Sequence, residues 1–182
     1  MSSLILFCIL SLPVVLISWR SLSDYQSHGF YRFFGWECII WLLAFNYKFW
    51  YADPFGLNQV ISWILLFGSL YYVIAGFVLL KKSGKAEIGE GRESLFRFEK
   101  TTELVKTGIF KFIRHPLYGS LIFLAWGIFL KNATGPLLFV TIASTVFLYL
   151  TALRDEKECL EYFGEPYSEY MKHTKMFIPF LW

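Results

Sequence analysis

The sequence predicts an all-α integral membrane protein: about five transmembrane helices, a C-terminal helical hairpin and a cytoplasmic cofactor site. Three observations carry that expectation. Hydrophobic residues make up 56% of the 182 residues and charged ones 17%, against roughly 25% charged in soluble domains. The apolar residues are concentrated in long runs. Residues 57–80 contain no charge and exceed the roughly 20 residues needed to cross a bilayer core as a helix. The charges gather between the runs, most of all in 81–114, where nine Lys/Arg stand against five Asp/Glu.

The first run, 4–19, lacks a basic leader and a small-residue cleavage site, so it reads as a membrane helix rather than a signal peptide. Pro13 inside it is tolerated in a membrane helix. After a polar loop, 20–32, the second run covers 33–51 and contains Glu37 and Lys48. Those two share a helix face about 16 Å apart, and each is expected to snorkel to its own interface; a substrate-site role for Glu37 is the other reading. Asp53-Pro54-Phe55-Gly56 reads as a tight turn before the third helix. Residues 1–80 thus supply three helices. Residues 81–182 supply a loop, a hairpin and a tail that complete one structural domain.

In the loop, 81–91 is rich in Gly and Lys and reads as flexible. Leu104, Val105, Ile109, Phe110, Phe112 and Ile113 restore apolar character, so that part is expected to be structured at the membrane surface. The fourth run, 117–130, barely spans. The turn at 131–136 makes it an antiparallel hairpin with the fifth, 134–153. The positive-inside rule puts 81–114 in the cytoplasm, the N-terminus outside and the C-terminal tail inside. A net charge of +3 gives no reason to expect nucleic acid. Cys8, Cys38 and Cys159 have no metal-like or redox-like spacing, so no metal is expected.

Two constellations could carry chemistry. Arg114-His115-Pro116-Leu117-Tyr118 opens the fourth helix. Pro116 suits a first helical turn, and the free N–H groups there suit a carboxylate or phosphate. The bland alternative has Arg114 on lipid phosphate and His115 capping the helix. Arg154-Asp155-Glu156-Lys157-Glu158 closes the fifth helix. Ser144, Thr151 and Asp155 fall within about 40° of one another on one face, a polar stripe that would otherwise serve helix packing. Glu158 and Glu161 read as a solvated helix end. The hairpin makes Arg114/His115 and Asp155/Glu156 neighbours, a pairing suited to a zwitterion. The apolar tail from Met176 to Trp182 is expected to anchor at the interface through Trp182, with docking on the membrane that helps close the site as the alternative.

Leu104-Val105-Lys106-Thr107-Gly108, Arg114-His115-Pro116-Leu117-Tyr118, Asp155-Glu156 and Phe163-Gly164-Glu165-Pro166-Tyr167 with Tyr170 occur in that order. Together they resemble the membrane methyltransferase family of isoprenylcysteine carboxyl methyltransferase and its phospholipid N-methyltransferase relatives. The resemblance covers nearly half the chain. It implies an enzyme that uses S-adenosyl-L-methionine, with S-adenosyl-L-homocysteine as product. It implies that Glu103, Leu104, Val105 and Phe110 line the adenosine. His115, Pro116, Leu117 and Tyr118 would grip the cofactor, and Asp155 and Glu156 would hold its amino acid part. The chain departs from the family's pattern at Thr102 (often His), Phe110 (usually Tyr), Asp155 (usually Glu) and Thr151, where the isoprenylcysteine enzymes carry an arginine implicated in substrate binding. Arg154, the cation nearest that place, joins His115 and Glu156 as a candidate catalytic residue. The implied acceptor is a lipophilic or lipidated carboxylate or amine arriving among membrane lipids. An amine requires a general base and a carboxylate does not. A small transporter or assembly subunit, or a sterol-type membrane reductase sharing part of the C-terminal pattern, stands as the alternative.

Overall fold

The computed structural model describes residues 2–83 and 103–181. The expectations for Thr102, for the Gly- and Lys-rich part of the central loop beyond Ser83, and for Trp182 lie outside the described residues. Among the described residues six α-helices follow one another: α1 Ser3–Leu22, α2 His28–Asn46, α3 Leu57–Ser83, α4 Pro116–Phe129, α5 Gly135–Phe163 and α6 Glu165–His173. Among the described residues no strand forms; a single parallel bridge joins Ile113 to Lys175.

Each boundary has a local cause. α2 begins earlier than its apolar run because Ser27 caps it, its side chain accepting from Phe30 N–H at 3.3 Å. This brings His28 and Arg32 inside the helix. α4 begins at Pro116, where a missing N–H loses nothing. α5 continues past the apolar residues to Phe163, because the charged stretch after Leu153 is made largely of good helix formers. Gly164, at φ +62°, ends α5 and starts α6, a backbone conformation that glycine adopts without a Cβ penalty.

α1, α3 and α5 are long and apolar enough to cross a membrane, and α4 is a shorter apolar helix. α4 rises about 21 Å over its turns, short of the roughly 30 Å hydrocarbon core. α1 packs on α2, α2 on α5, α5 on α4 and α4 on α3. The α2–α5 contact is close at Gly35, where a Cβ would meet Leu148 at 3.0 Å. There Ser144 Oγ donates to the Gly35 carbonyl at 3.3 Å. Ser144 and Thr151 are fully buried, and Thr151 donates to the Phe147 carbonyl. The expected polar stripe therefore serves helix packing at these two positions. The core gathers Leu42, Ala125, Ile128, Leu148, Ala152 and Phe177.

One further expectation changes. Glu37 accepts a hydrogen bond from Ser11 at 2.6 Å, so it links α2 to α1 instead of reaching for an interface. The start of the tail packs inward: Phe177 is 1% exposed, and Met176 and Ile178 pack against the core. Phe180 and Leu181, further on, are exposed.

Candidate functional site

The 20s loop, residues 103–115 and the chain after Leu153 meet at one end of the bundle, as the hairpin requires. The entrance to α4 is held by the tail. Arg114 N–H donates to the Lys175 carbonyl (2.8 Å), His115 N–H to the Met176 carbonyl (3.0 Å), and Lys175 N–H to the Phe112 carbonyl (3.0 Å). Backbone pairing of this kind leaves both side chains of the Arg114-His115 pair free to turn toward α5.

Arg114 Nε donates to Glu156 Oε1 at 2.7 Å, and its Nη1 donates to the carbonyls of Met171 (3.3 Å) and Thr174. His115 places Nε2 3.2 Å from Glu156 Oε1 and Nδ1 3.4 Å from Asp155 Oδ2. Its ring stacks on Tyr118, with centroids 5.5 Å apart. Side-chain exposure is 9% for Arg114, 4% for His115 and 8% for Glu156, but 25% for Asp155. Glu156 is thus an internal counter-ion, and Asp155 is the carboxylate with an open side. Burial opposes charge on His115, but hydrogen bonds and charges from Asp155 and Glu156 outweigh it and hold the imidazolium above its ordinary range. In the protonated form both ring nitrogens donate, one to Glu156 and one to Asp155.

Beside these groups lies a cavity of about 120 Å³. Leu104, Val105, Phe110, His115, Pro116, Leu117, Tyr118 and Asp155, all expected at the site, line it. Glu156 supports it from behind through Arg114 and His115. Glu103 is exposed and is not among the lining residues. Arg154 points elsewhere, its guanidinium 5.8 Å from the Tyr31 ring on α2. Arg114, expected beside His115 at the site, lines the cavity too, and Leu80, Cys159, Phe163, Tyr167 and Tyr170 line it without having been assigned to it. Phe163, Tyr167 and Tyr170 stood in the recognised C-terminal pattern, which was the available signal. Tyr170 Oη donates to the Phe110 carbonyl at 2.6 Å, and burial pushes its pKa up, so it remains a donor. Glu158, read as solvated, instead binds His28.

The arrangement offers three chemistries within one cavity. The N–H groups of Leu117 and Tyr118 belong to the first turn of α4, which has no intrahelical acceptors and favours an anionic group. Asp155 offers a negative charge. Leu80, Leu104, Val105, Phe110 and Tyr167 offer apolar and aromatic surface for a planar or lipophilic body.

Residues 59–165 match the phospholipid methyltransferase family. The chain is 29% identical over 119 residues to methanethiol S-methyltransferase 1 of Bradyrhizobium diazoefficiens, covering 65% of this chain and 39% of that protein. Over 127 residues it is 29% identical to human protein-S-isoprenylcysteine O-methyltransferase, covering 66% and 43%. A methanethiol S-methyltransferase of Pseudomonas deceptionensis is 32% identical over 73 residues, covering 40% and 27%. In each case the match spans less than half of the relative's length. No solved structure matches. The family match contains α3, the α4–α5 hairpin and the paired Arg114/His115 and Asp155/Glu156, and it covers more than half of the sequence, so the chain belongs to the phospholipid methyltransferase family.

Proposed function

We propose that the protein is an S-adenosylmethionine-dependent methyltransferase whose acceptor is lipophilic and comes from the bilayer. One observation carries this: a cavity in which a helix N-terminus, an open carboxylate and an apolar-aromatic wall converge. The donor set fits the cofactor. Asp155 would accept from its ammonium group, the N–H groups of Leu117 and Tyr118 would donate to its carboxylate, and Leu104, Val105 and Phe110 would cover its adenosine. When bound, S-adenosylmethionine supplies an electrophilic methyl group on a sulfonium. Tyr118, Pro116 and Leu117 exclude water from that region and orient what lies there, which is most of what such a transfer asks of a protein. The site would face the cytoplasm, in keeping with the basic central loop.

The same geometry favours some acceptors over others. Both ring nitrogens of His115 are engaged by carboxylates, and Glu156 is engaged by Arg114 and His115. Neither is available to take a proton from an ammonium group. The acceptor that suits the site is therefore one that arrives already anionic: a carboxylate, or a thiol that has released its proton to solvent and enters as the thiolate. The relatives' names point the same way, one naming methanethiol and the other an isoprenylcysteine.

The test uses the full chain in lipid nanodiscs. Titration calorimetry should show saturable binding of S-adenosylhomocysteine. Labelled methyl transfer should then be compared among a lipophilic thiol, a prenylcysteine carboxylate and phosphatidylethanolamine. Label on the thiol or the carboxylate is expected. Absence of S-adenosylhomocysteine binding sinks the proposal, and label confined to the amine overturns the acceptor assignment.

A further inference from the structure

Behind the cavity wall at Asp155 stands the start of α2, a helix outside the family match. α2 starts at His28, which is fully buried. Its backbone N–H donates to Glu158 Oε1 at 3.1 Å, and its Nδ1 lies 3.0 and 2.9 Å from the two Glu158 oxygens. One ligand atom each from His28, Asp155 and Glu158 all lie within 4.8 Å of one another. Arg32, one turn further along α2, is 4% exposed. On the α2 side a protonated His28 would put positive charge beside Asp155, as His115 does from the start of α4. Asp155 thus stands between the start of α4 on one side and the start of α2 on the other.

A tie between α2 and α5 is already complete in the His28–Glu158 pair, so the nearness of Asp155 calls for its own account. His115 lies 3.4 Å from Asp155 Oδ2 and attracts it. With no cation opposite, the carboxylate would close onto the imidazolium and leave the cavity wall. A cation on the α2 side balances that pull and holds the carboxylate where a ligand can reach it.

We infer that His28, assisted by Arg32, is a positioning residue for Asp155, so that the start of α2 holds from behind the carboxylate that would accept from the ammonium end of the ligand. This rests on the reading of the cavity given above. His28 touches no ligand in this scheme; it acts through Asp155.

The experiment is a double-mutant cycle on the full chain in nanodiscs, reading S-adenosylhomocysteine affinity by calorimetry and unfolding midpoint separately. His28→Gln should weaken binding about tenfold, a coupling of ordinary size for charges in one network. In an Asp155→Asn background, adding His28→Gln should change affinity by less than about twofold, since the effect runs through the missing carboxylate. A loss of the same size in both backgrounds overturns the inference, because it assigns His28 a structural role through Glu158. So does an affinity of His28→Gln that matches or exceeds the wild type. Should His28→Gln not fold, Arg32→Gln takes its place with the same expectation. Should Asp155→Asn abolish measurable binding, Glu158→Gln serves as the second background: adding His28→Gln there should still weaken binding about tenfold, and no further loss assigns His28 a structural role through Glu158 and overturns the inference. A wild-type chain that binds no S-adenosylhomocysteine defeats the reading of the cavity itself. Wild-type binding with unchanged His28 and Arg32 variants defeats this inference and leaves that reading standing.

Discussion

At one end of the bundle Arg114 and His115 are buried against Asp155 and Glu156; at the other, Lys131 is buried against aromatic rings and amides. Lys131 is 4% exposed. Its Nζ lies 3.7 Å from the Trp63 ring centroid and 5.1 Å from that of Trp50, and donates to Gln59 Oε1 at 3.0 Å. Gln59 Nε2 donates in turn to the Lys131 carbonyl at 3.3 Å, and Asn46 Nδ2 to the Ile128 carbonyl at 2.8 Å. The last carbonyls of α4 are satisfied there, so that end is closed by neutral groups and ring faces. At the Arg114 end the first turn of α4 opens onto a cavity, and the neutralising groups are carboxylates, one of them a quarter exposed. A carboxylate can exchange one cation for another, and a ring face packed on lysine has nothing to exchange. The comparison separates a site that can accept a charged ligand from a clamp that holds three segments together.

The largest expected effect breaks the first end. Glu156→Ala leaves Arg114 and His115 buried without their shared counter-ion, and should destabilise the fold by about 3–5 kcal/mol, measured by reversible unfolding in mixed micelles. Lys131→Met should lose about 1–2 kcal/mol by the same measurement, from the lost ring contact and an unsatisfied Gln59 oxygen. It should bind S-adenosylhomocysteine as the wild type does, and a large loss of binding in Lys131→Met would erase the distinction between the two ends. The smallest effect is on pH dependence. The folded-state pKa of His115 is raised, so its contribution to stability is fully present below about pH 6.5, the ordinary histidine value, and is lost as pH rises through the elevated one. Unfolding free energy measured across that window should fall with rising pH in the wild type. The slope should flatten in His115→Gln, and an unchanged slope would remove His115 from the account.

Much of the site was legible because it is local or one hairpin away. Pro116 marks the start of α4, the turn at 131–136 makes α4 and α5 antiparallel, and those two facts bring His115 to Asp155 and Glu156. Arg154 illustrates the limit of this reasoning: it is adjacent to Asp155 in sequence, yet it packs over Tyr31 because α2 lies on that side of α5. Glu158 looked like a solvated helix end for the same reason, since His28, its partner, is 130 residues away.

What the sequence determined by itself was the class of fold, the main apolar helices with the start of α4 at Pro116, and the pairing of two charged motifs across a short turn. These depend on composition and on contacts between near neighbours. The tertiary structure decided which helix packs on which, that α2 lies against α5, and that the tail returns to bury Phe177 and pair with Arg114 and His115. The physical reason lies in the helices themselves. A membrane helix that is apolar on every side carries no polar face to show which side meets a neighbour, so its partners are chosen by close packing and by a few buried polar pairs that join distant parts of the chain.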